Sequence, residues 1–235
     1  MSVAPEKRSF VRLPREKRMR DIEKAARLVF SQHGFDAAPV NEIAAEAGIS
    51  EGSIYKFYTN KRDLLHTILR TWYLSMIDDF KAKLEGIEGT RARLHIVIWQ
   101  HMKSIKESPD LCRLFYSEVR NAPDYYSTEL YEMNREYTRV LMGILAKGIA
   151  KGDIRPDTSP ALVRDVIFGG IEHHVTAYLM NRGDFDYELV AGQLSQLVFC
   201  GIAAAPPEPP RDLNALIERL EQVTDRLDQA SSEKG

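Results

Sequence analysis

The chain has 235 residues, about 26.8 kDa, and can bury one or two cores without disulfide or metal staples. Its net charge of −2 and pI near 6.3 exclude a uniformly basic, polyanion-coating protein. Two cysteines, Cys112 and Cys200, exclude a disulfide framework and a paired-thiolate metal cluster, so a reducing, cytoplasmic setting is expected.

The charge is unevenly spread. Residues 1–70 carry 13 basic and 9 acidic side chains, residues 71–205 carry 15 and 18, and residues 206–235 carry 4 and 7. The basic excess gathers at the N-terminus, where positions 7, 8, 12, 15, 17, 18 and 20 are Lys or Arg. No apolar run of signal-peptide length opens the chain, and the longest uncharged run, 189–207, is interrupted by Gln, Ser and Pro. The expectation is a protein neither secreted nor membrane-spanning.

Apolar residues recur at helical spacing almost throughout, and no stretch alternates with period two, so the chain reads as all-α. After a basic arm at 1–20, Ile22, Ala25, Ala26, Val29 and Phe30 form a first helix that ends at Gly34. A short helix from Asn41 to Ala47 leads to Gly48, and Ser50 opens another. Asn60, with Asp63 three residues on, starts a fourth helix through an Asn/Asp form of the capping box. Breakers at Pro109, Pro123, Gly152 with Pro156, and Gly183 then divide a helical bundle into segments at 64–85, 90–107, 111–121, 124–151, 159–181 and 185–204. Ala205-Pro-Pro-Glu-Pro-Pro210 reads as a stiff linker. Beyond it, Leu213, Leu216, Leu220, Val223 and Leu227 make an amphipathic helix with coiled-coil spacing over two heptads, expected to dock on the body or on a dimer mate. The domain reading is an arm at 1–20, a head at 21–62, a bundle at 63–205, and the linker with its helix at 206–235.

The informative segment is 34–62, GFDAAPVNEIAAEAGISEGSIYKFYTNKR. Two short helices around a glycine turn, with Ala44 and Ala47 small at the crossing and Ile43, Ile49 and Ile54 inward, describe a helix-turn-helix whose second helix enters the major groove. The residues Gly34-Phe35, Ile43-Ala44, Ala47-Gly48-Ile49-Ser50, Tyr55, Tyr58 and Lys61 resemble the DNA-binding domain of the TetR family, the tetracycline-repressor-type bacterial regulators. That resemblance implies an all-α dimer with an N-terminal three-helix DNA-binding head and a ligand-binding, dimerising bundle, released from a palindromic operator by a small effector.

Side-chain chemistry supplies the roles. Ser50 can cap the recognition helix. Glu51, Ser53 and Lys56 lie where side chains reach base edges, Lys56 suited to guanine acceptors and Glu51 to a cytosine amino group; Gly52 permits close backbone approach. Tyr55, Tyr58 and Lys61 are expected at phosphates, the alternative being that a tyrosine packs beneath the helix. Where the family commonly has hydroxyl residues before the motif, this chain has Ala38 and Pro39, and Asn41 is expected to supply that contact. The arm either attracts phosphate or enters the minor groove, or is a solubilising tail.

In the bundle, Trp72, Met76, Trp99, Met102, Phe115, Tyr137 and Phe168 are the expected lining of an effector cavity, since Met and aromatic side chains form adaptable apolar walls. The classes such a lining admits are an acyl thioester, a fatty acid or an aromatic acid. Gly169-Gly170 and the uncharged run place the dimer contact on 159–204. His173 and His174 are adjacent, point about 100° apart, and cannot act as an i, i+4 metal pair. No nucleotide, metalloprotease or nucleophile-elbow motif occurs, so no catalytic or metal-binding residue and no cofactor is assigned. The competing reading is an all-α enzyme or ligand carrier that uses the bundle cavity and keeps the helix-turn-helix as scaffold.

Overall fold

The computed structural model describes residues 14–204, and within them the chain is built of helices with no strand. In chain order these are α1 (Arg15–Ala37), α2 (Val40–Glu46), α3 (Glu51–Ile54), α4 (Lys61–Leu84), α5 (Thr90–Glu107), α6 (Pro109–Leu114), α7 (Glu129–Lys151), α8 (Pro160–Leu179) and α9 (Tyr187–Ile202). Most of the expected basic arm lies outside the described residues, as do the Pro-rich linker beyond Ala204 and the amphipathic helix. The part of the arm that is described, from Arg15, already belongs to α1. Its helix starts behind Pro14, Met19 packs against the core, and the Arg15 guanidinium lies 5.1 Å from the Phe57 ring centre.

Local chemistry sets each boundary of the head. Gly34, at φ 74°, breaks the helical path of α1 and turns Phe35 inward, where its ring meets Phe30 at 5.4 Å. Between α2 and α3, Gly48 takes φ 65°; its N–H donates to Ala45 O at 3.0 Å and the Ile49 N–H to Ala44 O at 2.9 Å. This pair of bonds is a Schellman motif, so the turn of the helix-turn-helix is the C-cap of α2. Ile22, Ala26, Phe30, Ile43, Ala44 and Ile54 close the core beneath it.

The start of α4 follows the expected capping with one change. Asn60 accepts from the Asp63 N–H at 2.8 Å, but Asp63 answers to the Thr59 N–H (2.7 Å) and hydroxyl (3.0 Å) rather than to Asn60. Helix α4 runs from head to bundle and packs on α7, while α5 lies mainly against α9. The expected single helix at 111–121 is instead α6 continuing into a π-helical turn at Phe115–Arg120. The segment expected from 124 begins its helix only at Glu129. Tyr125–Ser127 forms a 3-10 turn with Tyr125 buried, and Thr128 caps α7 by accepting from the Tyr131 N–H.

Candidate functional site

Two sites lie on this frame, an exposed face on the head and a cavity in the bundle. On the face, Ser50 sits at the N-cap of α3 with extended backbone, yet its hydroxyl meets the Ser53 hydroxyl at 2.8 Å instead of a backbone N–H. Glu51, Gly52, Tyr55 and Lys56 are exposed, with 48% of Tyr55 open to solvent, and Ser53 is half-buried beside them. A Cβ added at Gly52 would meet nothing, so this backbone is open to close approach. Asn41 is exposed in the first turn of α2, its Oδ1 accepting from the Glu42 N–H at 2.9 Å, which leaves its amide free to face outward.

The structure gives the other two expected phosphate contacts partners inside the head. Tyr58 is a core residue: it is 3% exposed, its hydroxyl donates to Glu23 Oε1 at 3.0 Å, and burial beside that carboxylate pushes its phenol well above the ordinary range. Lys61 clasps the end of α1. Its ammonium donates to the carbonyls of Phe35 (2.7 Å), Asp36 (3.0 Å) and Ala38 (3.1 Å) and stands 4.9 Å from the Phe35 ring centre. An ammonium has three N–H donors, and all three are taken.

The cavity measures about 290 Å³ and lies among α4, α5, the π-helical turn, α7 and α8. Five of the seven expected lining residues reach it: Trp72, Met76, Phe115, Tyr137 and Phe168. Met102 is fully buried in the core and is not part of the cavity wall. Trp99 lies outside the cavity, beside Tyr187 of α9 and under the ammonium groups of Lys83 and Lys103. Apolar identity and helical spacing could not separate wall from core, because both require the same residue types.

Sequence reasoning missed the polar members of the wall. His101 Nδ1 lies 2.8 Å from the Tyr137 hydroxyl, and burial holds the imidazole down to about 4, so it is neutral near pH 7. Tyr73 donates to Asn134 Oδ1 at 3.3 Å. Arg120, Arg135 and Arg164 also border the cavity. The signal available was the placement of these residues on the cavity face of their helices, which needs the helix packing to be known.

The two sites are mechanically joined. Arg27 of α1 makes a bidentate pair with Asp110 of α6 at 3.1–3.3 Å, and the Arg62 guanidinium donates to Glu118 O at 3.4 Å. The π-helical turn that supplies Phe115, Tyr116 and Arg120 to the cavity wall therefore hangs from the same segment that grips the head.

Residues 22–68 match the family described as bacterial regulatory proteins, tetR family, and residues 72–201 match the YsiA-like protein C-terminal region. The chain belongs to the tetR family. Among relatives of this tetR regulator, the fatty acid metabolism regulator protein of Bacillus subtilis is 27% identical over 80% of this chain and 96% of its own length. The transcriptional repressor KstR2 of Rhodococcus jostii is 24% identical over 80% and 92%. The solved structure of FadR from Bacillus subtilis in complex with stearoyl-CoA superposes with a TM-score of 0.71 at 27% identity, over 78% of this chain and 98% of that one. As a tetR-family protein, the chain is a ligand-responsive, DNA-binding transcriptional regulator.

Proposed function

We propose that this regulator is a cytoplasmic homodimeric repressor. It leaves a two-fold symmetric operator when an amphipathic effector, an acyl thioester or related acid, fills the bundle cavity, and it performs no catalytic step. The observation that carries the reading is the Arg27–Asp110 pair, which ties the first helix of the head to the segment forming the cavity wall. Relatives named as a fatty acid regulator and as repressors support it.

Base readout belongs to Glu51, Ser53 and Lys56, with Gly52 giving close approach; Tyr55 and Asn41 hold phosphates. Two such faces must lie about one DNA turn apart, roughly 34–36 Å, to enter successive major grooves. A shift of a few ångströms at α4 or α6 breaks that spacing.

The dimer forms on the outer faces of α8 and α9. Leu162 (63% exposed), Val166, Leu189 and Leu197 (72%) present apolar surface there, and Gly169 and Gly170 leave the backbone of α8 bare. Phe199 and Ile202 of α9 turn toward their own subunit. Ile202 is buried, and Arg91 stands over the Phe199 ring at 5.9 Å.

A gel-shift with DNA from upstream of the protein's own gene, at two salt concentrations and with and without an acyl-CoA, tests the reading. Sequence-selective retardation reversed by the thioester is expected. Equal affinity for unrelated DNA at both salts overturns it.

A further inference from the structure

The cavity, about 290 Å³ in volume, constrains its occupant through its wall and its polarity. Eight of the seventeen wall residues carry rings, with Met76 and Ile105 as its aliphatic members. These rings brace one another: Tyr73 meets Phe115 at 5.5 Å and 74°, and Tyr137 at 6.2 Å and 83°. Widening the space for a long chain would break that edge-to-face cluster, whereas a planar ligand ring can stack against it.

Polarity then orients the ligand. The inner end, around the His101–Tyr137 pair, carries no charge. Positive charge lies with three guanidiniums, each steered by one carboxylate: Arg120 by Glu172 (2.8 Å), Arg135 by Glu132 (3.3 Å) and Arg164 by Asp165 (2.7 Å). A guanidinium has five N–H donors and a carboxylate engages at most two, so each arginine keeps donors for a ligand anion.

Resting on the regulator reading above, we propose that the effector is a compact, ring-bearing acyl group attached to an anion. The ring is buried among Tyr73, Phe115, Tyr137 and Phe168, and the anion is held by Arg120, Arg135 and Arg164. The anion is either the carboxylate of a free acid or the phosphates of its coenzyme A thioester.

Calorimetry on the full chain with four probes tests this: 3-phenylpropanoyl-CoA, octanoyl-CoA, stearoyl-CoA and free 3-phenylpropanoate. The phenylpropanoyl thioester or its acid should bind at least tenfold more tightly than either straight-chain thioester. Preference for the thioester over the acid assigns the guanidiniums to phosphate, and the reverse assigns them to carboxylate. Arg135→Gln, at an exposed position, should weaken the ring ligand about tenfold, and Phe168→Leu should weaken it more than it weakens octanoyl-CoA. Straight-chain thioesters binding as tightly as the ring ligand, or no binding by any probe, overturns the proposal. If stearoyl-CoA binds best and also releases operator DNA, the regulator reading stands and this inference falls. If the ring ligand binds tightly but never releases DNA, the inference stands and the regulator reading falls.

Discussion

Lys61→Met separates a clasp from a phosphate contact. The substitution keeps an apolar stem against Phe35 and removes an ammonium that donates to three carbonyls at the end of α1. Hydrogen bonds to a charged group contribute about 1.5–3 kcal/mol each, but these three share one half-buried ammonium and water can reach the Asp36 carbonyl. A total loss of about 2–3 kcal/mol is the reasonable sum. At about 2–4 °C per kcal/mol for a chain of this size, the melting temperature should fall by about 4–12 °C. Operator affinity measured from 50 to 200 mM salt supplies the second readout. A lost phosphate contact lowers the magnitude of the log–log slope by about 0.9, whereas a lost clasp leaves the slope unchanged. An unchanged melting temperature together with a slope smaller by about one would refute the clasp and return Lys61 to the DNA backbone.

Tyr58→Phe should cost about 1.5–3 kcal/mol in unfolding experiments through its bond to the Glu23 carboxylate and leave operator affinity unchanged, while Tyr55→Phe should do the opposite. Val166→Glu combined with Leu197→Glu should yield a folded monomer in sedimentation, whereas Ile202→Glu, at a buried position, should unfold the chain; a dimer surviving the double change moves the interface elsewhere. His101 titrates near 4 when folded and 6.5 when free. Between those values the unfolded chain takes up a proton that the native state does not, so this contribution is intact above about pH 6.5 and is lost as pH falls toward 4. His101→Gln should flatten the melting temperature over that window; an unaltered slope would put the acid sensitivity elsewhere, with His66, also lowered by burial, examined next.

Among the described residues, the helices and the helix-turn-helix were legible because glycine turns, caps and apolar spacing are local signals. Gly34, Gly48 and Asn60 each act where the sequence placed them. Tyr58 was misread, and Lys61 had two readings, because a phenol and an ammonium serve equally well at phosphate or at a buried acceptor. Only the fold shows that Glu23 and three carbonyls lie within reach. Trp99 and Met102 failed similarly: periodicity says which residues share a stripe, and the neighbour that stripe faces is a tertiary fact. The π-helical turn carries no sequence punctuation, since Phe115–Arg120 has neither Gly nor Pro.

The bareness of α3 bears on how such a protein changes over generations. Glu51, Gly52 and Lys56 lie in solvent, where replacements usually shift stability by no more than about 0.5 kcal/mol. A duplicated gene could therefore drift to a new promoter one substitution at a time, each intermediate still folded. The interlocked rings of the cavity allow no such gradual route, because altering one leaves its partners unsupported. Copies descended from this chain should diverge first in the genes they govern and only later in the signal they answer.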